Sequence, residues 1–196
     1  MSNDIVLCGV GGQGTVLASK LLATAAMQRG LDVKTAETIG MAQRGGSVFS
    51  HVRIGEEAAS PLIGRGRADL LVAFEPAEAV RQLPFLREGG TAIVATRPVV
   101  PASALTGGPA YDLKAIRTYL EQSVGRLVLV DAEAAARELG TAKVLNVVLL
   151  GAAAGSGALA FSRDDLVQAI RARVKERFWE LNARALDFGV AVGSMR

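Results

Sequence analysis

The sequence has one cysteine, Cys8, and one histidine, His51, among its 196 residues. A single cysteine cannot close a disulfide within the chain, and it cannot provide the several ligands that an iron–sulfur cluster or a structural zinc ion needs. Cys8 follows an apolar run at residues 5–7, so we expect it to be a small core side chain on a strand. The sequence therefore predicts no metal site in this chain.

Aromatic residues make up only 5% of the chain, although hydrophobic residues make up 50%. A core of Ala, Val and Leu suits a parallel sheet that is covered by helices on both faces.

The sequence also has no apolar run long enough to span a bilayer. The longest one, residues 144–154, is too short and contains Asn146. Since the first residues also lack the pattern of a signal peptide, we expect a cytoplasmic protein without a membrane segment.

The charge is only weakly unbalanced, with a formal net charge of +3 and a pI near 9.3. Without a lysine-rich tail or aromatic residues between the basic ones, this balance does not favour nucleic-acid binding. It can still attract an anionic cofactor or an acidic protein partner. The length, without an internal repeat or a linker, predicts a single domain over residues 1–196.

A glycine-rich turn is the most informative local motif. Residues 9–14 read Gly-Val-Gly-Gly-Gln-Gly, directly after an apolar run of strand length and directly before a helical pattern over residues 15–28. This order is typical of a phosphate-binding βα turn, in which Gly9 allows the tight turn, Gly11 a close backbone approach and Gly14 close helix packing. The N–H groups and the dipole at the helix N-terminus would then favour an anion. The alternative is a turn that only joins a strand to a helix.

A second strand is predicted over residues 32–37. Glu37 lies 23 residues after Gly14, near the place where a dinucleotide-binding fold has its ribose-binding carboxylate, and this spacing favours NAD. The following residues argue against simple NAD binding. A dinucleotide-binding unit normally continues into a helix and a third parallel strand, and here a glycine-rich segment and an alternating strand intervene.

That glycine-rich segment covers residues 38–47, in which Arg44 precedes Gly45 and Gly46. Such a loop can aim a guanidinium and several backbone N–H groups at one anionic ligand. The alternative is a surface connection that needs glycine for a positive φ.

Residues 48–54 alternate in the manner of a half-buried strand. The short connection before them favours an antiparallel or edge position, because parallel strands need a long crossover. We interpret His51 in this strand as a packed or interface residue, since no carboxylate close in sequence could orient it as a general base. A catalytic role stays open, because histidine titrates near neutral pH.

The remaining pattern completes an α/β fold class. We expect a Rossmann-like three-layer fold with a mostly parallel sheet, helices on both faces and a helical C-terminal portion. Further strands are predicted over residues 69–74, 91–96 and 127–131, and further helices over residues 76–86, 112–123, 132–139 and 143–154. The C-terminal helices are predicted over residues 163–178 and 181–188, and the last helix is expected to end at Gly189.

The two glycine-rich segments together resemble the gamma-type domain of 2-oxoacid:ferredoxin oxidoreductases. The matching motifs are G-V-G-G-Q-G at residues 9–14, G-M-A-Q-R-G-G-S at residues 40–47 and D-L-L at residues 69–71. Residues 40–47, continued by residues 50–54, are most similar to the beta subunit of indolepyruvate ferredoxin oxidoreductases. The similarity extends through residues 146–151 and 182–189, and it therefore covers nearly the whole chain.

The resemblance implies a subunit of an enzyme that oxidatively decarboxylates a 2-oxoacid, here an aryl pyruvate such as indolepyruvate, with coenzyme A. The products would be an acyl-CoA, CO2 and reduced ferredoxin. In this family, thiamine diphosphate and [4Fe-4S] clusters lie mainly in a larger subunit, which agrees with the missing cysteine set. We therefore expect an obligate subunit with that larger chain as partner and ferredoxin as the acceptor of the complex. In isolation the chain could form a homodimer.

The resemblance and the phosphates of coenzyme A also imply a set of cofactor-binding residues: Gly9, Gly11, Gly12, Gln13, Gly14, Thr15, Glu37, Arg44, Gly45 and Gly46. Residues 11–14 would contact the phosphates or the pantetheine through backbone and amide groups. Arg44 is the one catalytic candidate, and with Gly45 and Gly46 it would shape the wall that faces the thiamine site across the subunit interface. Glu37 would hold this loop by pairing with Arg44.

Two other functions stay open. The chain could be a stand-alone NAD(P)-binding Rossmann domain that uses residues 9–14 and Glu37, and that reading predicts nicotinamide binding without a partner. It could instead be a non-catalytic assembly module whose glycine turn only packs against a larger subunit. The sequence offers no nucleophile–base pair and no metal-ligand set, and this favours a subunit over a self-sufficient enzyme.

Overall fold

The computed structural model describes residues 3–38, 45–55, 60–101, 104, 107–108 and 110–195. The strands are β1 (Asn3–Val10), β2 (Val33–Glu37), β3 (Ser47–Ile54), β4 (Ala68–Ala73), β5 (Leu86–Ala95) and β6 (Arg126–Val130). They form one sheet in the order β2-β3-β1-β4-β5-β6. Strands β1, β4, β5 and β6 pair in parallel, and β3 pairs antiparallel with both β1 and β2.

The described α-helices are α1 (Thr15–Gln28), α2 (Pro76–Gln82), α3 (Leu113–Ser123), α4 (Ala132–Leu139), α5 (Leu145–Gly155), α6 (Arg163–Arg173) and α7 (Trp179–Ser194). Helices α1 and α4–α7 share one buried apolar cluster with one face of the sheet. Helices α2 and α3 share a second cluster with the opposite face. These layers confirm the predicted Rossmann-like α/β fold class with a helical C-terminal portion. No described helix has the length and apolar character to cross a membrane.

The structure confirms the predicted antiparallel direction of β3. The strand lies inside the sheet, between β2 and β1, so the edge position that was the other option is not used. The physical reason is visible in the burial of the two strands. β3 has a mostly buried second half, whereas β2 exposes Lys34 and Thr35 and can therefore stand at the edge with one side free of partners.

Cys8 is a core residue, as predicted, because its side chain has no exposure. Burial raises the pKa of its thiol well above the ordinary value, and the nearby carboxylates of Glu78 and Glu75 raise it further. A thiol in this environment stays protonated at neutral pH and is a poor nucleophile.

The last helix does not end at Gly189, and that prediction is wrong. Helix α7 continues through Gly189 and Gly193 to Ser194. A Cβ on Gly189 would lie 2.0 Å from the carbonyl oxygen of Val148, and one on Gly193 would lie 2.1 Å from that of Ala152. These glycines allow α7 to pack directly against the backbone of α5, and they do not mark a helix end.

Candidate functional site

The glycine turn, residues 9–14, lies at the carboxyl edge of the parallel strands. Neighbouring strands β1 and β4 run in the same direction, and the helices that follow them, α1 and α2, pack on opposite faces of the sheet. Open α/β sheets bind ligands in the crevice that forms where two such connections separate. The fold therefore puts the glycine turn at the position where a ligand site is expected.

The second glycine-rich segment contacts this turn through its backbone. Gly11 donates its N–H to the carbonyl oxygen of Gly46 at 2.8 Å, and Gly45 donates to the carbonyl oxygen of Gly11 at 3.5 Å. Gly45 has a φ of +83°, so the positive φ considered for this segment is present. The structure thus brings together Gly11, Gly45 and Gly46 from the predicted site, whereas Arg44 lies outside the described residues.

Gln13 braces the turn from within. Its Oε1 accepts a hydrogen bond from the N–H of Val10 at 2.7 Å, and its Nε2 donates to the carbonyl oxygen of Phe74 at 3.0 Å. A Cβ on Gly9 would lie 2.7 Å from that Oε1 and 2.8 Å from the Cβ of Phe74. Glycine is therefore needed at position 9 to leave room for the Gln13 amide, which joins the ends of β1 and β4.

Several backbone N–H groups next to the Gln13 amide bond to no main-chain acceptor in the part of the chain that the structure describes. Gly14 is the N-cap of α1, and no side chain caps this helix. Among the described residues, no main-chain acceptor is bonded to the N–H groups of Gly12, Gly14, Thr15, Val16 or Leu17. Gly12 and Gly14 have φ angles of +100° and +90°, which only glycine adopts readily. A run of free N–H groups at a helix N-terminus is an anion-binding arrangement.

Two clefts flank the glycine turn. The first, which we call the cationic cleft, has a volume of about 580 Å³ and lies between the turn, residues 97–99 and the start of α5. The second, the strand-side cleft, has a volume of about 360 Å³ and is lined by Thr15, Val16, Thr38 and Val48 together with the turn. The free N–H groups can therefore be reached from either side of the turn.

The cationic cleft contains residues that were not among the predicted site residues, namely Arg97, Lys143 and Asn146. Arg97 lies two residues after β5, Lys143 lies two residues before α5, and Asn146 lies in the first turn of α5. The signals were weak: Arg97 comes just after a predicted buried strand, and Asn146 is the polar residue in a predicted apolar helix. Only the order of strands in the sheet shows that these two segments end beside the glycine turn.

Glu37 lies at the end of β2 and accepts a hydrogen bond from the hydroxyl of Ser19 at 2.6 Å. This contact ties β2 to α1. Glu37 lines neither cleft, whereas the adjacent Thr38 lines the strand-side cleft. The predicted pairing of Glu37 with Arg44 involves a residue outside the described part of the chain and stays a prediction.

A buried carboxylate network lies behind the turn, where the sequence predicted only a helix that begins at residue 76. Glu75 is 1% exposed and accepts hydrogen bonds from the N–H of Glu78 at 2.9 Å, the N–H of Val99 at 3.2 Å and the hydroxyl of Tyr111. Burial and then the bond to Glu75 raise the pKa of Tyr111. Through these contacts Glu75 fixes the position of the segment that carries residues 97–99.

Glu78 connects the same network to the start of β3. Its carboxylate accepts a hydrogen bond from the hydroxyl of Ser47 at 2.5 Å and contacts Arg81. Ser47 directly follows Gly46, so the second glycine-rich segment is held to α2 as well as to the turn. No group of three or more His, Cys, Asp or Glu in the described ranges could hold a metal ion.

His51 is a packed residue, which confirms the interpretation favoured from the sequence. It is 2% exposed, and its ring lies 5.4 Å from that of Phe49 and 5.2 Å from that of Phe85. Its Nδ1 accepts a hydrogen bond from the N–H of Ile63 at 2.9 Å, so the neutral ring has its proton on Nε2. Burial lowers the pKa of His51, against a smaller opposite effect of Asp4.

Comparisons with known proteins agree with this fold. The family described as pyruvate ferredoxin/flavodoxin oxidoreductase matches residues 4–192. The indolepyruvate oxidoreductase subunit IorB of Archaeoglobus fulgidus is 43% identical over 190 residues, which cover 96% of this chain and 94% of that protein. The protein of the same name from Methanothermobacter thermautotrophicus is 38% identical and covers 99% of this chain and 100% of that protein.

A solved structure gives the same result. The gamma subunit of a keto/oxoacid ferredoxin oxidoreductase from Geobacter sulfurreducens superimposes with a TM-score of 0.70 at 26% identity and covers 98% of each chain. The match over nearly the full length of both proteins confirms the resemblance that the two glycine-rich segments predicted. The chain therefore belongs to the pyruvate ferredoxin/flavodoxin oxidoreductase family, as a homologue of the gamma and IorB subunits of its oxidoreductases.

Proposed function

We propose that this chain is the small subunit of a cytoplasmic 2-oxoacid:ferredoxin oxidoreductase that acts on an aryl pyruvate such as indolepyruvate. The complex would convert the 2-oxoacid and coenzyme A to an acyl-CoA and CO2 and would pass the electrons to ferredoxin. A larger partner subunit would hold thiamine diphosphate and the [4Fe-4S] clusters. This chain would contribute a wall that binds the phosphates of coenzyme A and the interface to that partner.

The observation that carries this proposal is a set of N–H groups at the glycine turn that bond to no main-chain acceptor among the described residues, namely those of Gly12, Gly14, Thr15, Val16 and Leu17. Free N–H groups at a helix N-terminus stabilise anionic oxygens, and the dipole of α1 adds to the effect. Coenzyme A has a pyrophosphate of matching chemistry. When bound, it supplies the thiol that accepts the acyl group.

Exposed aliphatic side chains around the turn also support an interface at this edge of the sheet. Four aliphatic residues each expose between 37% and 44% of their surface, namely Val16, Leu17, Val99 and Val100. Exposed aliphatic residues beside a functional crevice are typical of a surface that a partner covers. Arg44 would lie in the same interface, because Gly45 and Gly46 next to it are bonded to Gly11.

Glu37 makes the NAD(P) alternative less suitable. A ribose-binding carboxylate needs to face the ligand, and the Glu37 carboxylate instead bonds to Ser19 of α1 and lines neither cleft. Its contact with α1 fits the role of a support for the neighbouring residues.

Co-expression of the chain with its larger partner, followed by a steady-state assay of ferredoxin reduction, tests the proposal. Arg44→Ala should raise the KM for coenzyme A about tenfold, as expected for the loss of one charged hydrogen bond, or should weaken assembly. Arg65→Ala is a suitable control, because Arg65 is exposed in a turn and lines neither cleft. Normal assembly with an unchanged KM would remove Arg44 from the site.

Purification of the chain from its native host tests the subunit role itself. We expect a brown complex with a cysteine-rich partner and thiamine diphosphate. A colourless chain that purifies alone and binds NAD or NADP would contradict the proposal.

A further inference from the structure

The cationic cleft has two positive side chains and no carboxylate among the described residues that line it. Arg97 and Lys143 are both exposed, and neither takes part in an ion pair within the described ranges. Two cations that face one cavity without a neutralising acid repel each other, and an anionic ligand would relieve that repulsion. The cleft thus has an unbalanced positive charge beside the glycine turn.

Asn146 is a second and independent sign of a ligand. The residue is 4% exposed and lines the cleft. A Cβ on Gly14 would lie 3.3 Å from its Nδ2, so the amide lies against the glycine turn. This amide donates no hydrogen bond to any described residue. Its Nδ2 is not one of the fully buried atoms that lack a partner among the described residues, so it is open to the cleft and can donate a hydrogen bond to an acceptor oxygen of a ligand there.

The helices that begin at this cleft differ from most of the other described helices. Helices α1 and α5 have neither a capping side chain nor an acidic residue in the first turn. Four other helices begin with side-chain caps, from Glu75, Asp112, Asp131 and Ser162. Helix α7 also lacks a capping side chain, but it has Glu180 in its first turn. An anion in the cleft would face the two N-termini that the chain leaves uncompensated.

We propose that Arg97, Lys143 and Asn146 form a subsite for a phosphate monoester, and that this monoester is the ribose 3′-phosphate of coenzyme A. The assignment of the ligand rests on the proposed function. A monoester dianion offers three strong acceptor oxygens, which suit two cations and one amide donor. The pyrophosphate would then lie over the free N–H groups of the turn. A cavity of about 580 Å³ is within the usual size of a small-molecule site.

Binding measurements on the assembled complex test the subsite, with coenzyme A and 3′-dephospho-coenzyme A as probes. The wild-type complex should bind coenzyme A more than about tenfold more tightly than the dephospho form, because the charged contact with Lys143 alone is worth roughly that factor. Lys143→Gln should weaken coenzyme A binding by about the same factor and leave the dephospho form unchanged. The preference for the 3′-phosphate should therefore fall by about tenfold, and the part that remains belongs to Arg97 and Asn146.

Asn146→Asp provides a second variant that keeps the size of the side chain. An aspartate in the first turn of a helix is favourable for folding, so we expect a normal complex whose new carboxylate repels the phosphate. The control is Lys175→Gln, because Lys175 is exposed and lines neither cleft. It should bind both probes as the wild type does.

The outcomes separate this subsite from the proposed function. If the wild-type complex binds coenzyme A and its dephospho form equally, or if Lys143→Gln keeps the preference, the subsite is wrong while the coenzyme A wall stands. If the wild-type complex binds no coenzyme A, the proposed function is wrong. Adenosine 3′,5′-bisphosphate would then decide the subsite, which is retained only if this probe binds the wild type about tenfold more tightly than Lys143→Gln.

Discussion

Glycine has opposite roles in the glycine turn and in the contact between helices α5 and α7. At the glycine turn, a Cβ on Gly12 would meet nothing within 4 Å. Between helices α5 and α7, a Cβ on Gly151 would lie 2.3 Å from the carbonyl oxygen of Leu186, and one on Gly189 would lie 2.0 Å from that of Val148. The turn is open to a ligand, whereas the helix pair is closed by its own backbone.

The difference shows which glycines are informative about function. In the helix pair, glycine is required because two backbones approach each other, and the cost of a side chain there is a steric clash. At Gly12 of the turn, the positive φ angle requires glycine while the space beside it stays empty. Substitutions in the helix pair should therefore change stability, and substitutions at the turn should change ligand binding more than stability.

Gly189→Ala should have the largest effect. Alanine normally stabilises a helix relative to glycine by about 1 kcal/mol, but here the new Cβ would lie 2.0 Å from the carbonyl oxygen of Val148. Overpacking against backbone should instead destabilise the protein by about 3 kcal/mol or more. Chemical denaturation would measure the free energy of unfolding.

The control for this prediction is Ala191→Gly, the reverse exchange in the same helix at an exposed position. It should cost about 1 kcal/mol through helix propensity alone. If Gly189→Ala proves more stable than the wild type, the close contact between α5 and α7 is wrong.

Gln13→Glu should have the next largest effect. The Gln13 amide lies within the glycine turn, but it is enclosed by close contacts as the glycines between α5 and α7 are. The carboxylate can still accept from Val10, but it cannot donate to the carbonyl oxygen of Phe74, which Nε2 contacts at 3.0 Å. We expect a loss of about 2 kcal/mol in the free energy of unfolding at neutral pH. The loss should shrink as the pH falls toward the ordinary carboxyl pKa of about 4, because a protonated carboxyl can donate. A loss that does not depend on pH would contradict the assigned bond.

The sequence predicted the first part of the fold closely. Strand, glycine turn and helix follow one another within a short stretch, and the predicted helix over residues 15–28 agrees with α1 (Thr15–Gln28). The antiparallel direction of β3 followed from the short connection before it. These features are local, so a pattern in the sequence is enough to predict them.

The features that the sequence did not predict depend on distant partners. Gly189 has the appearance of a helix end, and only the backbone of α5 explains why the helix continues. Arg97 and Lys143 come from segments far apart in sequence, and the strand order alone brings both to the glycine turn. Glu75 precedes the predicted helix over residues 76–86, and only its bonds to Val99 and Tyr111 show that it holds the wall of the cleft.

Gly12→Ala should affect stability less than the two changes above and should affect binding more. The new Cβ has space, but the φ of +100° at Gly12 is strained for alanine and should cost about 1–2 kcal/mol. The methyl group would stand at the mouth of both clefts, so coenzyme A should bind more weakly to the assembled complex.

Gly66→Ala is the matched control for Gly12→Ala. Gly66 has a φ of +67°, is exposed and also has nothing within 4 Å of an added Cβ. We expect a similar loss of stability with unchanged coenzyme A binding. Equal binding in the two variants would mean that the open space at Gly12 is unrelated to the ligand.

Arg163→Met should have the smallest effect, although it removes an ion pair with two hydrogen bonds between helices α6 and α7. Arg163 contacts Asp187 through Nε at 2.6 Å and Nη2 at 3.1 Å, but both side chains are about half exposed, at 42% and 53%. Exposed pairs contribute less than about 1 kcal/mol, and salt screens them. Chemical denaturation at low and high salt should show a small loss that decreases as salt is added.

The pH dependence of the Arg163→Met effect gives a further check, because the contact with Arg163 lowers the pKa of Asp187 below its ordinary value of 3.8. A carboxyl with a lowered pKa in the folded state stabilises the protein above its unfolded pKa and loses that effect as the pH falls through the folded pKa. Wild type and variant should therefore differ at neutral pH and converge in acid. A difference above about 2 kcal/mol, or one that persists in acid, would mean that this ion pair, and not the glycine contact with α5, holds helix α7 in place.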